Sequence, residues 1–226
     1  MLKHGRFNVH VQSFTRVSFL KKIDGLVGRP FHTALSSGRF LFCHDQTLEK
    51  RVAEVCSISE PDRSLRALEA YSAALYHLYH ARKHFHFKRE FDARDSFCQA
   101  LNYYCRALIF RNGRLPRRDP VNQAQQMKVL NEDKILQSDA SRESLEFLHQ
   151  FINRQAPDFA LCLVTHLRQQ SGPRTEEQLE NDFPQIELHP DPLLSVLETH
   201  GLVTHIEQPF AINSHPLFKE QFWQAG

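Results

Sequence analysis

The sequence predicts a mostly helical α+β protein: a small α/β segment, an antiparallel helical bundle and a C-terminal winged helix. Three observations carry this. Residues 6–14, RFNVHVQSF, alternate with period two, placing Phe7, Val9 and Val11 on one face of a strand. Residues 62–112 contain neither Gly nor Pro while apolar residues recur at helical spacing. Near the C-terminus, LLSVLETHGLV (Leu193 to Val203) reads as an apolar helix stopped by Gly201, with a short extended hairpin after it. A chain of 226 residues with 41% hydrophobic content has room for such a set of small cores. The divisions fall at 1–60, 61–154 and 155–226.

Taken in order, the strand of residues 6–14 is followed by a short amphipathic helix in VSFLKKIDGLV, stopped by Gly25 or Gly28. A second short helix from Phe31 to Ser36, a Ser-Gly turn and the apolar strand RFLFC come next, and Asp45 or Thr47 is placed to cap a helix over DQTLEKRVAEVC. Leu65, Leu68, Ala70, Tyr71, Leu75, Leu78 and Tyr79 mark one long helix; Phe97, Leu101, Tyr104, Leu108 and Ile109 mark a second. Their antiparallel junction is expected near Lys88 to Asp92, and residues 138–153 add a further helix. Residues 113–124, GRLPRRDPVNQA, read as a Pro- and Arg-rich connection. The tail reads as helices over 158–170, 176–183 and 192–200, strands over 202–206 and 210–213, and a last helix from Pro216: winged-helix order. Thr175 with Gln178 three residues on has a capping-box pattern. Leu161, Leu167, Leu179, Leu194, Leu197, Val203 and Phe210 are its expected core.

Composition narrows the setting. No apolar run approaches the roughly 18–20 residues that span a bilayer, and MLKHGRFNVHV turns charged at once, unlike a signal peptide. The five cysteines (Cys43, Cys56, Cys98, Cys105, Cys162) are scattered and include no CxxC pair, which fits free thiols in a reducing cytoplasm. A cytoplasmic protein without a membrane partner is expected. The net charge of +2 is unevenly spread. Residues 1–60 carry 9 Lys/Arg against 5 Asp/Glu, residues 61–127 carry 12 against 6, and residues 128–226 carry 7 against 15.

The segment RFNVHVQSF…GRPFHTALSSGRFLFCHDQTLEKRV, followed by long helices, resembles the closing part of a minimal nucleotidyltransferase domain of the polymerase-beta superfamily. There, a strand bearing the third catalytic carboxylate leads through a helix to a last strand and a helical bundle. The matching positions are Phe31, Ala34, Gly38, Phe40 to Phe42 and Asp45. The bundle resembles the HEPN or substrate-binding partner domains of that superfamily. The resemblance spans roughly residues 6–112. It also implies what is missing: the family's Gly-Ser loop and Asp-x-Asp pair precede the third-carboxylate strand, with which this chain begins. Where the third acid is expected, FNVHV offers Asn8 or His10. Two-metal nucleotidyl transfer needs clustered carboxylates, so no catalytic residue is assigned and catalysis of that kind is not expected of this chain.

Four residue groups bear on function. His77, His80 and His84 lie at i, i+3 and i+7, along one helix face, and are the candidate metal ligands, with Cys98 or Cys105 from the neighbouring helix. No Cys or carboxylate stands in the same motif at ligand spacing, so the row reads as a polar stripe and no metal or cofactor is assigned. Arg142 and His149 in RESLEFLH resemble the Arg-then-His spacing of HEPN ribonucleases, with Glu143 departing from the Asn, Asp or His that follows the family's Arg. Arg111, Arg114, Arg117 and Arg118 cluster where the second long helix ends. Part of that cluster suits the helix dipole, and the whole suits the phosphates of a nucleotide or nucleic acid. Finally, DPLLSVLETHG and the expected wing VTHIEQPFAIN contain no Lys or Arg, and the preceding TEEQLENDF is acidic. A DNA-reading helix needs cations for the flanking phosphates.

The expected function is therefore binding: nucleotide or nucleic acid at the basic middle, a protein partner or a second copy of the chain at the acidic tail. Two alternatives stand beside it. One is a nucleotidyltransferase completed by an upstream segment or partner that donates the carboxylates; the other is a winged-helix transcriptional regulator.

Overall fold

A computed structural model of the chain describes residues 2–4, 7–9, 12–23, 31, 34, 35, 38, 43–56, 58–130, 140–212 and 215–226, with backbone only for 2–4, 7–9, 55, 56, 208–212 and 215–220. The architecture is mostly helical α+β, and the chain divides into two compact units, residues 1–57 and 58–226.

In the first unit, strand β1 (Leu2–His4) pairs antiparallel with β2 (Phe7–Val9), Lys3 opposite Asn8. The strand expected over 6–14 is thus shorter: residues 12–15 have left the extended ladder, because Thr15 is already the cap of helix α1 (Arg16–Ile23), its Oγ1 accepting from the Ser18 amide at 3.2 Å. Helix α2 (Gln46–Cys56) begins at Asp45, whose carboxylate accepts from the Leu48 amide at 3.0 Å and from Arg16 Nε at 2.9 Å. The Leu48 amide and the Arg16 guanidinium hold the Asp45 carboxyl below its usual range. Ile23 and Val52 form a small core with Phe19, Leu20, Phe31 and Leu35 against it. Phe14, Phe19 and Phe31 meet edge-on around it. At Gly38 a Cβ would come to 3.2 Å from the Ala34 carbonyl oxygen. The expected strand RFLFC, with Phe40 to Phe42, lies outside the described residues apart from Cys43.

The second unit is built on two antiparallel helices, α3 (Glu60–His86) and α4 (Glu90–Arg111), joined by three residues. Ser59 caps α3 and Pro61 lies in its first turn. On α3, Ala67, Ala74 and Ala81 are buried; on α4, Ala93, Ala100 and Ala107 are buried. Both sets recur every seven residues, the spacing of a supercoiled seam. Methyl-sized side chains let two helix axes approach at the short end of the usual ~8–10 Å range. Around that seam the larger side chains Leu68, Tyr71, Leu75, Leu78, Phe97, Tyr104 and Ile109 close the core. Tyr71 donates its hydroxyl to the Ile152 carbonyl at 2.9 Å and stacks on Phe159 at 4.7 Å.

Beyond α4 the expected connection over 113–124 instead turns into helix α5 (Pro120–Gln126), capped by Asp119 with Pro120 in its first turn. Helix α6 (Arg142–Asn153) is capped by Ser141. The single helix expected over 158–170 is two, α7 (Ala156–Phe159) and α8 (Leu161–Gln169), meeting at the fully buried Ala160. Leu161, expected in the core, is 64% exposed. Leu163, Val164 and Leu167 take the inner face of α8, and Leu161 lies about 110° around the helix from the centre of that face.

Helix α9 (Glu176–Asp182) begins with the reciprocal capping box of Thr175 and Gln178, and helix α10 (Pro190–Thr199) follows. Strand β3 (Val203–Ile212) then pairs antiparallel with β4 (His215–Ala225), Val203 opposite Ala225, with an irregularity at Phe210/Ala211. Here the sequence expectation fails in a specific way. The two strands expected over 202–206 and 210–213 are one: residues 203–206 and 210–212 all lie in β3, and the segment from Pro216, expected as a final helix, is the second strand. A lone ten-residue strand leaves a row of amides and carbonyls unpaired, and β4 supplies the partners. Trp223, 4% exposed, also exchanges both backbone hydrogen bonds with Arg174, at 2.8 and 2.7 Å. Leu167, Leu179, Leu194, Leu197 and Val203 are buried as expected; the Phe210 side chain lies outside the described residues.

Candidate nucleic-acid interface

Helix α4 ends in a left-handed turn. Gly113 has φ of 69°, its amide donates to the Phe110 carbonyl and the Arg114 amide to the Ile109 carbonyl; this is the Schellman pattern that favours glycine. The chain then runs through Arg114, Leu115, Pro116, Arg117 and Arg118 to the Asp119 cap. Leu115 and Pro116 are buried and anchor the segment. Gln123, 7% exposed, brackets it: its Oε1 accepts from the Arg117 amide at 2.6 Å and its Nε2 donates to the Leu115 carbonyl at 3.1 Å. Arg114, Arg117 and Arg118 are exposed, and no acidic side chain among the described residues pairs with them. Arg111 differs. Its guanidinium bonds Asp158 at 2.9 Å and lies over the Phe159 ring at 5.2 Å. Three of the four predicted arginines therefore present free charge on a fixed loop, and the fourth ties α4 to α7.

The histidine row is occupied by aromatic contacts. His77 stacks on Tyr103 of α4 at 5.2 Å, and His80 meets Tyr76 edge-on at 4.4 Å. His84 lies 6.1 Å from His80, ring to ring. Burial, reinforced by His189 and His80, lowers the proton affinity of His77; burial, with Lys83 and His84, does the same to His80. Among the described residues no group of three or more His, Cys, Asp or Glu is placed to hold a metal ion. Cys43, Cys98, Cys105 and Cys162 are free thiols, and burial, then Asp119, pushes the Cys105 thiol up to about 12.

Arg142 opens α6 and His149 lies seven residues further along it. His149 contacts Arg82 and Asn153, each at 3.3 Å, and its proton affinity is lowered by burial and by Arg82. Arg142 lines a cavity with residues of α3, among them Arg82, the contact of His149.

Helix α10 is wedged against the bundle. Pro190, Leu193, Leu194, Val196 and Leu197 are buried. The segment before it is tied to α3, the Glu187 amide donating to Glu69 Oε1 at 3.1 Å and the His189 amide to Ser72 Oγ at 3.4 Å. His189 stacks on Tyr76 at 4.5 Å. What α10 leaves exposed is Asp191, Ser195, Glu198 and Thr199, followed by His200, a stripe with two acids and no Lys or Arg.

With this geometry in hand, the chain can be set beside known proteins. No family model matches it and no curated protein matches it. Its structure is similar to the crystal structure of a nucleotidyltransferase-like protein from Exiguobacterium sibiricum 255-15, with a TM-score of 0.62 over 93% of this chain and 75% of that chain, at 16% sequence identity. The fold is nucleotidyltransferase-like. At that identity the likeness is one of fold. Of the two positions where the sequence analysis looked for a third acid, Asn8 sits on β2 opposite Lys3, and His10 lies outside the described residues.

The bracket Gln123 was missed at the sequence level, although Asp119-Pro120, a cap followed by an N1 proline, was there to announce the helix that carries it. Also missed was a cavity of about 330 Å³ lined by Tyr79, Arg82, Lys83, Phe85, His86, Arg142, Leu145 and Glu146. No local signal could have found it, since α3 and α6 contribute from positions more than fifty residues apart.

Proposed function

We propose that this nucleotidyltransferase-like protein is a binding protein whose loop 114–118 holds the phosphates of nucleic acid or a nucleotide. The observation that carries the reading is the set of three exposed, unpaired guanidiniums, Arg114, Arg117 and Arg118, on a loop fixed by buried Leu115, Pro116 and Gln123. Preorganised guanidinium groups bind phosphate through paired, charge-assisted hydrogen bonds. Elements α8, the Arg174 bridge, α9, α10 and the β3–β4 hairpin follow one another in the order of a winged helix, and we read this region as a winged helix used for protein contact or self-association. Supporting that use, α10 is packed on α3, and residues 128–226 carry 15 acidic against 7 basic residues. The amide at position 8 supports binding over nucleotidyl transfer.

The test is fluorescence anisotropy with labelled oligonucleotides over a salt series. Replacing Arg114, Arg117 and Arg118 by Ala should weaken binding about uniformly across sequences and flatten the salt dependence by about one unit of slope per lost contact. Arg111→Ala should change affinity less, since its charge is already answered by Asp158. Replacing Ser195 and Thr199 by Ala should leave affinity unchanged. If that last variant alone lost sequence-specific binding, α10 would be a DNA reader and the reading would fail.

A further inference from the structure

The opposite end of the α3–α4 pair carries a second concentration of charge, of a different kind. Arg82, Lys83 and His86 on the last turns of α3 and Arg142 at the start of α6 line the cavity of about 330 Å³, together with the rings of Tyr79 and Phe85. That volume lies at the small end of the range for ligand sites. Glu146 also lines it and bonds Arg82 at 3.3 Å; Lys83 and Arg142 have no such partner among the described residues.

Beside the cavity, the turn between the helices and the first turn of α4 each expose a ring. Phe87 is 59% exposed and Phe91 84%, while Tyr79 at the cavity is 53% exposed. Cations interleave with them: from Arg82 to Arg94 five Lys or Arg stand against two carboxylates, Glu90 and Asp92. Both acids lie in the first turn of α4, where the helix dipole favours them. The turn itself is fixed. The Lys88 amide donates to the Phe85 carbonyl at 3.1 Å and the Arg89 amide to the His84 carbonyl at 2.9 Å, with Lys88 at φ of 57°. Gly is the favoured residue at that position, and a lysine occupies it.

We propose that this tip, from Tyr79 through Phe91 with Arg142, is a site for single-stranded nucleic acid. Unpaired bases stack on Phe87, Phe91 and Tyr79, and Lys83, Lys88, Arg89 and Arg142 follow the sugar-phosphate backbone. A duplex hides its base faces, whereas a single strand offers them, and aromatic rings set among cations are the surface such strands recognise without strong sequence preference. The site shares no residue with the loop 114–118, so either can fail alone.

The experiment compares three labelled ligands, each of about 20 nucleotides: a polythymidylate strand, a strand of the same length lacking its bases, and a duplex. Wild-type protein should bind the strand with bases at least about tenfold more tightly than the abasic one. Phe87→Ala with Phe91→Ala should erase that ratio without changing duplex affinity. Lys88→Gly removes one charge while relieving the left-handed backbone, so the protein stays folded and should bind both single strands more weakly by the same factor. The Arg114/Arg117/Arg118 triple-alanine variant should keep the ratio between based and abasic strands. A ratio near one for wild type, or one unchanged by removal of both phenylalanines, would overturn the proposal. So would binding to phosphatidylserine-containing vesicles with no preference for the strand with bases.

Discussion

The imidazole of His77 lies nearly flat on the Tyr103 ring, 5.2 Å between centroids and 14° between planes, holding α3 to α4 through a titratable group. Burial, then His189 and His80, keeps its proton affinity below the usual 6.5, while Asp95 opposes them. Unfolded, the ring takes a proton below about 6.5; folded, it does so only at lower pH. In that window the unfolded state binds more protons, so stability falls as pH drops through it. His80 and His149 act in the same direction. Urea midpoints taken at about pH 7 and about pH 5 should therefore fall for wild type, and fall less for His77→Phe. Equal losses in the two proteins would remove His77 from the account.

The alanine seam makes a prediction about size. Ala74 and Ala100 are both fully buried in the α3–α4 pair. A leucine at either position must force the helices apart or distort a rotamer, at a cost of about 1–3 kcal/mol. Exposed Gln99, next to Ala100, is the control: Gln99→Ala should stay within about 0.5 kcal/mol of wild type. Urea denaturation measures both. An Ala100→Leu protein as stable as wild type would mean that the seam is not close-packed.

Gln123 tests whether the arginine loop works by its charge or also by its shape. Gln123→Leu keeps every cation but leaves the Arg117 amide and the Leu115 carbonyl without their partner. Each such group costs about 1–3 kcal/mol if it stays buried, and a loosened loop exposes it to water instead. Binding of polyanions should weaken while the salt slope stays as in wild type, because no phosphate contact is deleted. A wild-type affinity in this variant would show that the bracket is only structural.

These contacts also explain what could be read from the chain and what could not. The long helices were legible because residues 62–112 offer no breaker, and the Asp45 cap and the Thr175–Gln178 box were legible because capping is local. The last strand was not. HPLFKEQFWQA has no Gly, and nothing in it decides between helix and strand until Trp223 meets Arg174 and β3 offers its edge. Leu161 was misplaced for a related reason: a period of 3.6 fixes a buried face only if the helix is continuous, and the break at Ala160 resets it. Arg111, Arg114, Arg117 and Arg118 are visible in the sequence as a cluster, but the pairing that sets Arg111 apart depends on Asp158, more than forty residues away. Phe87 and Phe91 lie just beyond the histidine row of His77, His80 and His84, and only their exposure in the fold sets them apart from core aromatics.

The length of α4 has a consequence for how many grips a bound strand can take. Its 22 residues separate the loop 114–118 from the aromatic tip by about 33 Å at 1.5 Å per residue. A stacked strand advances about 3.4 Å per nucleotide, so about ten nucleotides are needed to reach from one end to the other. Below that length an oligonucleotide holds one end at a time. Above it, the second contact becomes intramolecular, and affinity should rise as a step with chain length and not in proportion to it. On the proposed binding, the helix pair sets the strand length at which that step falls.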